Sequence, residues 1–249
     1  MLNKSPIPLE EIIQECDRLF QTNQPELLGN HLRLWRRRAA DAGDRAAELS
    51  LLNELIGHYR MNCDRQRGMS AVEDALHLID LLRNSSTVSG GTILLNAATA
   101  LHSFGLFERA TELYERAKNA YLQNLAPDDQ RFAGLWNNMA GSYSSAGEYD
   151  RAGECYRKAL DILKKHNNLM DQAVTYINMA QLCDQIDESD LRIEELLDCA
   201  AECFDSPQAV RDSYYAHTCN KCFAAFGLFG RDDYADELKR RAEEFYARA

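Results

Sequence analysis

No stretch of this 249-residue chain approaches the roughly 20 consecutive apolar residues that a membrane-spanning helix needs. The first residues, MLNKSPIPLEEIIQ, carry one lysine followed by prolines and glutamates. They lack the apolar run of a secretory signal, so a cytoplasmic setting is expected. Positive charge is also short, with 28 Lys and Arg against 39 Asp and Glu and a formal net charge of −11. A surface of that sign repels a polyanion, which argues against nucleic acid as a partner. The recurrent motifs of catalysis are missing as well: no HExxH, GxGxxG, P-loop or GxSxG occurs, and the six histidines show no metal-ligand pairing. The expectation is a protein that is not an enzyme and needs no cofactor.

Eight cysteines could suggest a disulfide framework, but they lie mostly inside helical patterns, where free thiols serve as small apolar residues. Cys219-Asn220-Lys221-Cys222 is a CxxC, with His217 just before it. A structural zinc site needs four ligands, and no second CxxC is present; Cys199 and Cys203 are the remaining pair. A redox dithiol of the thioredoxin kind belongs in a βαβ context, and no strand pattern is seen. Packing is therefore expected and no metal is assigned, with a metal or redox role at Cys219 and Cys222 as the alternative.

What is present is a repeat. SFGLFERATELYERAKNAY at 103–121 and SAGEYDRAGECYRKALDIL at 145–163 share a small residue, a glycine, an acid-arginine-alanine run and an aromatic four residues on, at an offset of 42. Ala75, Ala117 and Ala159 recur at steps of 42, and Ala200 and Ala242 continue the series. A fixed period of this size marks a stack of like units. Each unit reads as two amphipathic helices. In the third, Trp136, Met139, Ala140 and Tyr143 form one stripe, Gly147 ends the helix, and Ala152, Tyr156, Ala159, Leu160 and Leu163 line the second. The units span 49–84, 91–125, 133–167, 173–205 and 214–247, within a single domain over 1–249. Residues 1–43 read as two more helices, a degenerate hairpin or a cap. Ser206-Pro207 carries the cap and first-turn signals of a further helix start.

Trp136-x2-Met139-Ala140-x2-Tyr143 followed by Ala152-x3-Tyr156 resembles the tetratricopeptide repeat pattern, with alanine for its glycine, tyrosine for its phenylalanine and no closing proline. The longer period resembles that of kinesin light chains. The resemblance implies an all-α, right-handed superhelix of about twelve helices whose first helices line a concave groove. It also implies that a protein or peptide segment lies in that groove. Asn96, Asn138 and Asn178 recur at one position of the first helices, beside Asn137. An amide can donate to and accept from an extended backbone at once, and in peptide-binding members of the family an asparagine at this site does so. The alternative is that these amides bond within the scaffold. Thr99, His102, Gln181 and Lys221 are further groove candidates, together with Glu54, Arg60 and Gly141. Basic residues are few there, so an extended, weakly polar segment fits better than a captured terminal carboxylate.

The expected function is a non-catalytic adaptor. A sensor of a short signalling peptide and a self-associating assembly protein, forming homo-oligomers, are the alternatives. His31-Leu-Arg-Leu-Trp-Arg-Arg-Arg is the one basic run: Arg33, Arg36 and Arg37 are expected on a solvated face, with a docking patch for an acidic partner as the other possibility.

Overall fold

A computed structural model describes residues 7–22 and 24–248; residues 1–6, part of the segment scanned for a secretory signal, lie outside them. Among the described residues there are twelve α-helices and no strand. They are α1 (Leu9–Gln21), α2 (Pro25–Ala42), α3 (Arg45–Met61), α4 (Arg65–Leu81), α5 (Val88–Ser103) and α6 (Phe107–Asn124), then α7 (Arg131–Ser145), α8 (Tyr149–Lys165), α9 (Leu169–Gln185), α10 (Asp190–Asp205), α11 (Ser213–Leu228) and α12 (Asp232–Tyr246). Two compact units are distinguished, residues 1–127 with α1–α6 and residues 128–249 with α7–α12. In each, successive helices pair as hairpins. First helices also pack on first helices: α3 on α5 in one unit, and α9 on both α7 and α11 in the other.

Most turns are built by one device. One or two residues past the helix end, the chain adopts the left-handed conformation at Gly43, Gly105, Gly147 and Gly230, and also at the non-glycines Cys63, Arg83, Asn167 and Asp187. Two backbone bonds then close the end, as where Glu148 N reaches Tyr143 O at 2.8 Å and Gly147 N reaches Ser144 O at 3.0 Å. The next residue often caps the following helix. Asp44, Asp64 and Asn168 accept from the backbone N–H groups of Ala47, Arg67 and Asp171.

One expected helix start is absent. Ser206-Pro207 lies in a turn, where Ala209 N donates to Ser206 O at 3.1 Å; α11 begins instead after Asp212, whose side chain accepts from Tyr215 N at 2.9 Å. A strong cap next to a proline is thus used to leave α10 rather than to begin a helix.

The core follows the alanine pattern. In the first unit Leu51, Ile56, Val72, Ile79, Leu94, Ala98 and Tyr114 are buried; in the second, Ala140, Ala159, Ala180, Leu197, Ala200, Phe204 and Phe226. Small side chains let neighbouring helices approach to ~8–10 Å, and the aromatics fill the space beside them. Met139, Ala140 and Tyr143 are buried as their spacing predicts, while Trp136 is half-buried, stacked on Phe132 and with the Lys158 amine 5.1 Å from its ring centre.

Ion pairs join the second helices. Arg109 of α6 reaches Glu73 of α4 at 2.6 Å and Arg116 reaches Asp80 at 3.4 Å. In the other unit Arg241 of α12 reaches Asp205 of α10 at 2.7 Å, and Arg231, just before α12, meets Asp198 at 2.6 Å and Glu194.

Candidate functional site

The residue nine positions before the left-handed turn inside each hairpin from α3–α4 onward falls at one register of the first helices: Glu54, Asn96, Asn138, Asn178 and Lys221. The structure distributes these residues over the two units and treats them differently.

In the first unit, Asn96 Nδ2 donates to Asn53 Oδ1 at 2.8 Å, and Asn53 Nδ2 donates to Glu54 Oε1 at 3.2 Å. The amides thus link α5 to α3. Glu54 is half-buried, and burial raises its carboxyl pKa; the Asn53 hydrogen bond opposes this, while Asp17 of α1 adds to it. Thr99 Oγ1 donates to Leu95 O at 2.9 Å and accepts from Tyr114 OH at 3.3 Å, which turns it into its own hairpin. His102 is half-buried edge-on to Phe107, with ring centres 5.2 Å apart, and burial depresses its pKa, so the ring is neutral at pH 7.

In the second unit, Asn137 Nδ2 donates to Thr175 Oγ1 at 2.6 Å, and that hydroxyl donates to Asp171 O at 2.7 Å. The bond ties α7 to α9. Oδ1 of Asn137 is buried and has no hydrogen-bond partner among the described residues. Asn138 of α7, and Asn178 and Gln181 of α9, are half-buried, and their side chains likewise meet no partner among the described residues. Space beside them is open: a Cβ placed on Gly134 or Gly141 of α7 would meet nothing within 4 Å. Ser144 Oγ donates to Gln185 Oε1 at 2.5 Å across the same two helices. Lys221 of α11 is exposed.

The two adjacent first helices therefore present amides at one register, beside a strip without side chains. An axis separation of ~8–10 Å matches roughly three residues of extended chain. Asn53 and the Asn137–Thr175 bond were not singled out from the sequence. Asn53 lies 43 residues before Asn96, close to the repeat period, and that offset was the available signal.

The cysteines lie in packing positions. Cys219 and Cys222 are buried, and burial pushes their thiols up to about 11 and about 12, with Lys221 pulling slightly the other way on Cys222. Cys203 is raised to about 11 by the same cause. Such thiols are protonated at pH 7 and are poor nucleophiles and ligands. Among the described residues no group of three or more His, Cys, Asp or Glu is arranged to hold a metal ion, and no helix is long and apolar enough to cross a membrane.

Residues 133–166, which span α7 and α8, match the tetratricopeptide repeat family. The fold is the tetratricopeptide repeat. Solved structures of tetratricopeptide-like proteins extend the likeness beyond this hairpin. BtubC (BKLC) from P. vanneervenii has 18% identity and a TM-score of 0.55, over 97% of this chain and 92% of that one. Nearly identical kinesin-light-chain TPR-like repeats from Podosopora anserina have 17% identity and a TM-score of 0.55, over 80% and 95%. A Rap protein complexed with Competence and Sporulation Factor has 13% identity and a TM-score of 0.68, over 96% of this chain and 64% of that one. At these identities the likeness concerns the fold. No curated protein matches the sequence. Nothing in the family match points to an enzyme, since the tetratricopeptide hairpin is a scaffold rather than a catalytic constellation.

Proposed function

We propose that the protein is a tetratricopeptide adaptor that binds an extended protein or peptide segment on the first-helix face of α7, α9 and α11. Asn138 and Asn178 read the ligand backbone, Gln181 and Lys221 flank them, and Asn137 offers only its unpartnered Oδ1. The observation that carries this reading is the pair of half-buried amides without partners, at one register of adjacent helices, beside the open strip at Gly134 and Gly141. A half-buried amide left dry loses its water bonds, and a peptide group restores both donor and acceptor. In the first unit Asn96 takes a reduced part, because one of its N–H groups is spent on Asn53. Thr99 is bonded within its own hairpin and His102 lies edge-on to Phe107, so both take a lesser part.

The test uses the full chain and its Asn138→Ala/Asn178→Ala variant as parallel baits in a lysate, followed by titration of the captured segment. Two lost amide-to-backbone interactions, each worth about 0.5–1.5 kcal/mol net, weaken binding by roughly 5- to 150-fold. Melting temperature should not move, since neither amide has a partner to lose. Equal binding by both baits would remove the amides from the site.

The similarity to the Rap structure, whose partner is Competence and Sporulation Factor, favours one other reading. In it the same face senses a free short peptide in a cytoplasmic setting. Tight binding of a short synthetic segment cut from the captured partner supports the sensor; a requirement for the whole folded partner supports the adaptor. Concentration-dependent mass, with loss of capture at high bait concentration, would indicate a homo-oligomer instead.

A further inference from the structure

We propose that the cleft between α2 and α4 in the first unit is a binding site for a phosphate monoester group, held by Arg33, Arg37 and Arg67 with Arg36 fixed beneath them.

The sequence places Arg33, Arg36 and Arg37 three and four residues apart, on one face of α2. That face is exposed at Arg37 and half-buried at Arg33 and Arg36. It forms one wall of a cavity of about 410 Å³. Arg67, Ser70 and Asp74 of α4 form the opposite wall, over a floor of Leu52, Leu55 and Tyr59 from α3. The expected solvated face holds at Arg37, while Arg36 is drawn into ion pairs instead. Arg36 is half-buried, and its guanidinium bonds Asp74 at 2.9 Å and Glu48 at 3.2 Å. Nε of Arg36 is buried with no partner among the described residues. Arg37 meets no partner among them, and Arg33 bonds only the neutral Asn30. Arg67 lies over the Tyr59 ring and pairs with Asp64 at 2.6 Å. Of the carboxylates here, Glu48 is shared with Arg45, so the arginines outnumber them.

His58 lies beside the cleft and senses two of its arginines. Its ring lies against α2, where a Cβ on Gly29 would come within 2.5 Å of Nε2. Burial, Arg33 and Arg67 all hold its pKa below the usual histidine value, with Asp64 opposing. Four arginines and one carboxylate line the cleft, so it is locally basic in a chain of charge −11. Screening reconciles the two. At physiological salt the Debye length is about 8 Å, so distant acids fade while arginines in the cleft act at contact. A polyanion would still run onto acidic surface; a single compact dianion would not.

A phosphate monoester fits the cleft better than a carboxylate does. It carries close to two charges and three acceptor oxygens, and guanidinium forks match its edges. The cavity also leaves room for part of the group that bears it.

The experiment follows the His58 ring by NMR in the full chain while inorganic phosphate, O-phosphoserine, a phosphoserine peptide and acetate are added separately. The expected result is saturable binding of the phosphate probes and an upward shift of the His58 titration, because a bound anion offsets Arg33 and Arg67. Arg33→Ala/Arg37→Ala should weaken binding at least about tenfold, with melting unchanged. Peptide stronger than inorganic phosphate would identify a chain-borne group, and equality a free phosphate compound. Three results would overturn the site: no shift at about 10 mM phosphate probe, a double variant that binds as well as wild type, or acetate binding equally well. None depends on the asparagine face, which lies in the other unit.

Discussion

The same substitution at two glycines should act in opposite directions. Gly90 lies in the first turn of α5, and its N–H donates to the Thr87 cap at 3.0 Å. A Cβ there would stand 1.9 Å from the Asn84 carbonyl oxygen and 2.8 Å from its carbon. An ordinary C···O contact is ~3.3 Å or more, so the backbone must yield by over an ångström. The Asn84 oxygen already accepts from Thr87 N at 3.2 Å and Thr87 Oγ1 at 3.0 Å, so that movement opens the turn into α5. Loss of the cap costs about 1 kcal/mol and the overpacking about 1–3 kcal/mol, against a gain of about 1 kcal/mol from replacing glycine in a helix. Gly90→Ala should therefore destabilise by roughly 1–3 kcal/mol. Gly141→Ala meets open space and should stabilise by about 0.5–1 kcal/mol. Urea unfolding followed by tryptophan fluorescence separates the units, because Trp35 lies in one and Trp136 in the other. Trp136→Phe leaves a reporter for Gly90, and Trp35→Phe one for Gly141. A Gly90→Ala variant as stable as its parent, or a destabilised Gly141→Ala, would refute the reasoning.

Other perturbations have equally definite outcomes. Arg83 holds φ 51° at an exposed turn, so Arg83→Gly should raise stability by about 0.5–1 kcal/mol in the same urea assay. Because the folded pKa of Glu54 is raised, the native state holds more protons than the unfolded chain just above pH 4.5, and stability falls as pH rises through the folded value. Glu54→Gln should thus stabilise at pH 7, with the gain vanishing below pH 4.5. His58 and His102 are depressed, so the unfolded chain binds more protons below pH 6.5, and stability falls as pH drops from there toward their folded values. Melting between pH 7.5 and 5.5 should show that slope, and His58→Gln and His102→Gln should reduce it. Iodoacetamide at neutral pH should modify the exposed Cys63 first and reach Cys219 and Cys222 only on unfolding, as mass spectrometry would show.

The helices and their stacking stripes were legible because burial repeats with the chain's own period. Ala98, Ala140 and Ala180 are small for a reason that any aligned pair of units displays. The turns were legible where glycine marks them and hidden where Cys63, Arg83, Asn167 and Asp187 adopt the same conformation, since those residue types carry no such signal. Ser206-Pro207 misled because cap and proline describe local chemistry only; the preceding helix end decides how they are used. Side-chain pairing across units of the repeat was the least legible layer. Asn137 and Asn138 look alike in sequence, but a helical step of 100° turns one toward Thr175 and leaves the other without a partner among the described residues. Arg36 was placed on a solvated face because Glu48 and Asp74, distant in sequence, could not be seen to meet it.

The ion pairs between second helices have a direction. Arg109, Arg116, Arg231 and Arg241 each reach back to an acid placed 33 to 37 residues earlier, whereas Arg36 reaches forward to Asp74. Singly, such surface pairs add little stability. Their order has meaning for a chain made from its N-terminus. Where α6 follows α4 and α12 follows α10, the acidic edge is made first and the arginine that answers it arrives with the next hairpin. Self-repulsion between those edges discourages two nascent hairpins on neighbouring ribosomes from stacking on each other, while the chain's own next segment is drawn in. At those two interfaces the order of synthesis favours assembly in cis.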